Sequence, residues 1–123
     1  MSKVTSVDNR VKPARLTDRD IGEEYVLDFS RDSVRFAEAR KFSPDEVLTY
    51  PATKIPELFF YAFRKNHKNL SRTQTDKILE EQLGGMSAAL LERLMQLYNQ
   101  AALSHVIATE EDNEKNARMT VEL

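Results

Sequence analysis

The chain has 123 residues, 41% hydrophobic and 31% charged, with three glycines, four prolines and neither cysteine nor tryptophan; that length supports one modest core in a single domain. Without cysteine there is no disulfide framework, cysteine-ligated zinc, iron–sulfur cluster or thiol nucleophile, and a net charge of −2 argues against a general polyanion binder. No apolar run approaches the ~20 residues a membrane helix needs, and Met1–Arg10 lacks the apolar middle of a signal peptide, so a cytoplasmic address is expected.

Residues 1–14 show no period that would bury a face and read as a flexible arm. Tyr25, Leu27 and Phe29 then alternate with Val26 and Asp28, which predicts a strand, with Ala14 to Thr17 as a hairpin partner across a glycine-bearing turn. Ser30 or Asp32 can cap a short helix carrying Val34, Phe36 and Ala37 and ending before Phe42. Ser43-Pro44-Asp45-Glu46 predicts a second short helix, and Tyr50 to Thr53 reads as a connector because Pro51 disfavours helical geometry before it. A third helix is expected over 55–66, opened by Thr53 and Pro56. A fourth starts at a Ser71/Gln74 capping box and ends at Gly84-Gly85, and the longest, capped by Ser87, runs over about 88–107. The expected fold is mainly α: a small compact domain of about four to five helices over 15–107, with an N-terminal strand or hairpin and flexible ends. The tail, 108–123, is acidic: from Thr109 onward it holds five acidic residues against two basic ones, although Met119, Val121 and Leu123 alternate like a short strand.

The chemistry-bearing residues are sparse. His67 sits at a helix end, where a histidinium would face the last carbonyls, and His105 falls on the apolar stripe of the long helix, as a core or edge histidine. The carboxylate pairs Glu23-Glu24, Glu80-Glu81 and Glu110-Glu111 diverge and read as solvated faces. No nucleophile elbow, Walker loop or dinucleotide-binding glycine pattern occurs, so no catalytic residue, cofactor or metal ligand is expected. The Gly84-Gly85 break would suit a helix-turn-helix, but Ala88, Ala89, Leu90 and Leu91 stand where base-reading side chains belong. A DNA-associated or regulatory module remains the alternative reading, favoured by the basic cluster over 64–72.

Two helices carry more apolar surface than one core stripe needs. Ile55, Leu58, Phe59, Ala62 and Phe63 form a stripe that leaves Phe60 and Tyr61 on its flanks; such a helix is either central in its domain or covered by a partner. On the long helix Leu90, Leu91, Leu94, Leu97, Tyr98 and Ala101 form the seam, whereas Leu103 and Ile107 fall on the wet side. Phe60, Tyr61, Leu103 and Ile107 are therefore the expected partner-facing residues.

The strand Tyr25-Val26-Leu27-Asp28-Phe29, the step Phe42-Ser43-Pro44-Asp45-Glu46-Val47 and the helix Pro56-Glu57-Leu58-Phe59-Phe60-Tyr61-Ala62-Phe63 carry a likeness. So do Ile78-Leu79-Glu80-Glu81, Leu83-Gly84-Gly85 and Leu94-Met95-Gln96-Leu97-Tyr98-Asn99-Gln100-Ala101-Ala102. In this order they resemble the small tail assembly chaperones of long-tailed phages and Gram-positive prophages, over about residues 20 to 107. The resemblance implies a non-enzymatic, cytoplasmic role in virion morphogenesis. It implies a mostly helical protein that multimerises, coats the tape measure protein and recruits tail tube subunits, often with a C-terminally extended form made by frameshifting.

Overall fold

The computed structural model describes residues 10–106 and 118–123. Most of the expected arm, most of the acidic tail and Ile107 lie outside them. Strands β1 (Ala14–Asp18) and β2 (Glu23–Leu27) pair antiparallel, with Ala14 opposite Leu27 and Leu16 opposite Tyr25, so these four side chains share one face. The turn is held by Asp18, whose carbonyl accepts from Gly22 N at 2.7 Å and whose carboxylate accepts from Asp20 N at 3.0 Å. Gly22, at φ 75°, supplies the left-handed residue that closes it.

Helix α1 (Arg31–Ala39) takes Ser30 as its cap rather than Asp32. Ser30 Oγ accepts from Ser33 N at 3.2 Å and Ser33 Oγ accepts from Ser30 N at 2.8 Å, a capping box built from two serines. At the far end Lys41 adopts φ 65°, and Phe42 N donates back to Ala37 O at 3.1 Å. That reversal turns Phe42 inward to 3% exposure. The helix expected after Ser43 is a single 3-10 turn, Pro44–Glu46, and the Ser43 side chain makes no capping bond.

Helix α2 (Pro51–Phe63) begins earlier than the expected 55, and the Tyr50 to Thr53 connector is mostly helical. Proline fits a first helical position, where its missing N–H has no intrahelical acceptor; Tyr50 before it, at φ −128° and ψ 65°, lies outside the helical region and serves as the cap without a side-chain bond. The Ser71 and Gln74 capping box opens α3 (Arg72–Lys77) as expected, with Gln74 N to Ser71 Oγ at 3.1 Å and Ser71 N to Gln74 Oε1 at 2.8 Å. The helix then widens into a π turn, Ile78–Gln82, in which Leu83 N reaches Ile78 O at 2.8 Å. Gly84 and Gly85, at φ 74° and 110°, end it. Helix α4 (Ala88–Ala102) stops before the expected 107: Leu103 N still makes the regular bond four residues back to Asn99 O, but Ser104 N donates only three residues back, to Ala101 O at 3.2 Å, and the chain tightens out of the helix.

The result is a mainly helical domain with one hairpin, organised around α2. Leu58, Phe59 and Ala62 are fully buried and Phe63 is 1% exposed; Leu27, Val34, Val47, Leu94 and Leu97 close around them. Edge-to-face aromatic pairs run through this core: Tyr25–Phe63 and Phe63–Phe59 on one side, and Phe29–Tyr98–Phe42–Tyr61 on the other, at 5.0 to 5.6 Å between rings.

Tyr98 is 2% exposed, and its hydroxyl is the buried side-chain polar atom without a partner among the described residues. Burial, helped by nearby Glu38 and Tyr61, pushes its pKa up to about 12. Since the folded-state value lies above the unfolded one, ionisation of Tyr98 costs no stability below pH 10, and stability falls as pH rises from there through about 12. Tyr98→Phe should raise stability by about 1 kcal/mol at neutral pH, by removing an unsatisfied hydroxyl, and should blunt the alkaline loss. Urea unfolding at neutral and alkaline pH measures both; a neutral-pH loss on Tyr98→Phe would mean that the hydroxyl has a partner.

Candidate interaction surface

Asn66 and His67, inside the basic cluster over 64–72, close the exposed edge of the hairpin. Val26 N donates to His67 Nε2 at 2.9 Å, Asn66 Nδ2 donates to Val26 O at 3.2 Å, and Asp28 N donates to Ala62 O at 3.1 Å. Two side chains thus take the place of a third strand. His67 is corrected from a charged helix-end group to a hydrogen-bond acceptor, with its ring against Tyr25 and Phe63 at 5.4 and 6.0 Å. Asp28, 8% exposed, is held by Lys65 Nζ at 2.7 Å and by Phe29 N at 2.8 Å. That arrangement gives a buried carboxylate a cation and a donor, the condition for burying one at tolerable cost.

Of the four residues expected to face a partner, the structure places Tyr61 inside. It is 4% exposed and lies between Phe36 and Phe42, with ring centroids at 6.0 and 5.2 Å. The wheel put it on a flank of the stripe, but α1 and the Phe42 turn pack against that flank. Burial raises the pKa of its hydroxyl above the ordinary tyrosine value. Phe60 is half-buried and leans on Phe36 and Tyr61. Phe36 itself is capped by the guanidinium groups of Arg40 and Arg64, at 3.6 and 3.8 Å from its ring centre. This flank of α2 is covered from within the chain.

Leu103 is different. It is 61% exposed just past the end of α4, and Val106 close by is 69% exposed. Leu103 lines a shallow cavity of about 560 Å³ with Phe42, Pro44, Tyr98 and Ala102, rimmed by Glu38 and Lys41. His105 is exposed there, a correction to its expected place in the seam: the helix that would have aligned it ends at Ala102.

Sequence reasoning missed Leu48 and Tyr50, which are 77% and 58% exposed between the 3-10 turn and α2, whereas Val47 beside them is fully buried. A short helix would have allowed Leu48 to share the core with Val47; a single 3-10 turn points it outward. The signal available was Pro51, which limits how far the preceding turn can propagate.

A family model described as a domain of unknown function, DUF5055, matches residues 1–123. The chain belongs to the DUF5055 family. No curated protein and no solved structure matches it significantly. In this DUF5055 chain no helix among the described residues is long and apolar enough to cross a membrane, and no three of its described His, Asp and Glu residues gather as a metal site. The end of α4 sets a large aliphatic side chain in the open beside a cleft floored by the rings of Phe42 and Tyr98.

Proposed function

We propose that this DUF5055 chain is a non-enzymatic tail assembly chaperone of a phage or prophage, acting in the host cytoplasm. It self-associates and binds tape measure and tail tube proteins during tail morphogenesis. The observation that carries the reading is the pairing of a full core with surplus apolar side chains. α2 and α4 bury most of their stripes, with Ile55, Leu90 and Leu91 partly covered at the core's margin, yet Leu103, Val106, Leu48 and Tyr50 remain 58 to 77% exposed. A protein that shields an apolar helical client needs such surface and no catalytic constellation. The resemblance of layout over about residues 20 to 107 supplies the client's identity.

The DNA-associated alternative finds little support in the geometry. Ala88 and Ala89 are exposed at the start of α4, and Arg93 is turned onto Lys12 O at 3.2 Å. Arg64, Lys65 and Lys68 line cavities with α1 that contain no residue of 84–91.

Leu103→Glu with Val106→Glu should leave far-UV circular dichroism and unfolding midpoint unchanged within about 0.5 kcal/mol, as for exposed positions generally. The same pair should weaken self-association, followed by light scattering across concentration, and co-purification with a co-expressed tape measure protein. If both survive the double substitution intact, the end of α4 is the wrong surface. If the unaltered protein stays monomeric and ignores the tape measure protein, the chaperone reading falls.

A further inference from the structure

The 18 basic and 20 acidic residues of the chain are unevenly spread. Three adjoining cavities all contain Lys65; one pair also shares Arg10, Phe29 and Gln100, and another shares Ser30, Asp32 and Arg35. Together they form one shallow groove from Arg10–Pro13, across the start of α1, to Lys68 beyond α2. Its walls carry Arg10, Lys12, Arg31, Arg35, Arg64, Lys65 and Lys68 against two carboxylates, Asp28 and Asp32. Asp28 is taken up by Lys65 at 2.7 Å, and Asp32 meets Arg35 in the open at 3.3 Å, with 92% of its side chain exposed. Lys68, Arg10 and Lys12 make no ion pair among the described residues. The positive end of the α1 dipole opens into the same groove.

We propose that this groove binds an acidic stretch of a partner polypeptide. Guanidinium groups dominate it, and their planar forks match carboxylates two bonds at a time. Arg31 is already held in place by Ser104, with Nε to Oγ at 2.6 Å and Nη2 to the carbonyl at 3.2 Å, so less order is lost on binding. Nucleic acid fits less well. Single strands need an open aromatic face for stacking, but Phe29 is 4% exposed and the Phe36 ring is covered by Arg40 and Arg64. A continuous phosphate line would also meet Asp32, on a molecule of net charge −2. The inference does not depend on the chaperone reading, since the residues that carry it are different ones.

Fluorescence anisotropy of labelled poly-L-glutamate against the full chain tests it. Saturable binding that weakens with salt is expected, and Arg31→Glu with Arg35→Glu should lower the affinity about tenfold or more. Lys68→Glu, at an exposed position with no ion-pair partner among the described residues, should lower it in the same direction and covers the case in which the double variant folds poorly. Arg15→Glu with Arg19→Glu, on the hairpin, should leave binding unchanged. Absence of binding, or an equal loss from the hairpin pair, overturns the assignment. Random-sequence duplex DNA binding as tightly as poly-L-glutamate at matched salt overturns it in favour of a nucleic acid. Binding that emerges only when Glu110, Glu111 and Glu114 are changed to Gln gives the groove to the chain's own acidic stretch, and overturns it in favour of an internal contact.

Discussion

Tyr61→Ala should lose about 3 to 5 kcal/mol of stability, the cost of deleting a large buried aromatic side chain. A domain of this size has roughly 5 to 15 kcal/mol in all, so the variant should be largely or partly unfolded at physiological temperature. The ring is 4% exposed and touches Phe36, Phe42 and Phe60, contributed by α1, by the turn after it and by α2 itself. Its loss would open a cavity where three segments meet. Tyr61→Phe keeps the ring and should cost under about 1 kcal/mol. Urea unfolding followed by far-UV circular dichroism measures both; a loss below about 1 kcal/mol for Tyr61→Ala would show that the ring is not packed. A functional test built on Tyr61→Ala would therefore read unfolding in place of partner loss, and Leu103 and Val106 are the positions to alter.

His67→Ala should be the next most damaging change, at roughly 2 to 3 kcal/mol, from an orphaned amide and lost ring packing together. Val26 N donates to His67 Nε2 at 2.9 Å, and the imidazole fills the angle between Tyr25 and Phe63. The damage should be local in origin. Native-state hydrogen exchange should show the Val26 amide losing protection more than amides of α4, because β2 frays from α2 before the helices separate. Uniform loss of protection across the chain would mean that His67 acts only through the global core. Asn66→Ala should follow the same pattern more weakly, since only the bond to Val26 O at 3.2 Å is lost.

Signals confined to a few neighbouring residues were legible in the sequence. The Ser71/Gln74 box, the Ser87 cap, the Gly84-Gly85 break and the hairpin partner of β2 all depend on local bonds or alternation, and each stands where the residues placed it. The errors came where distant segments compete. Tyr61 lies off the apolar stripe of its own helix, yet the left-handed turn at Lys41 brings Phe42 against it, and no helical wheel contains that turn. His67 could be placed near a helix end from its neighbours, but its partner is 41 residues away in β2. The extra reach given to the long helix came from extending its 3.6 period through Leu103. Nothing in that period marks Ala101 O as the carbonyl that accepts from both Ser104 N and Ser104 Oγ, at 3.2 and 2.7 Å, where the helix ends. Of the candidate site, Leu103 was legible because exposure of a lone aliphatic on a polar face is a local property; the cationic groove was not, because its walls come from four separate stretches of chain.

The π turn at Ile78–Gln82 fits one more residue into its hydrogen-bonded ring than an α turn would. Deleting either Glu80 or Glu81, both exposed, would let the ring close in the ordinary way. That closure takes up the missing residue, so Leu83 and the two glycines would keep nearly the same heading around the helix axis. A deletion in the regular turns before it, Arg72–Lys77, has no such slack and would rotate everything downstream by about 100°, the angle one residue subtends. The π turn is therefore a place where the chain can lose a codon and still aim α4 and its Leu103 surface as before.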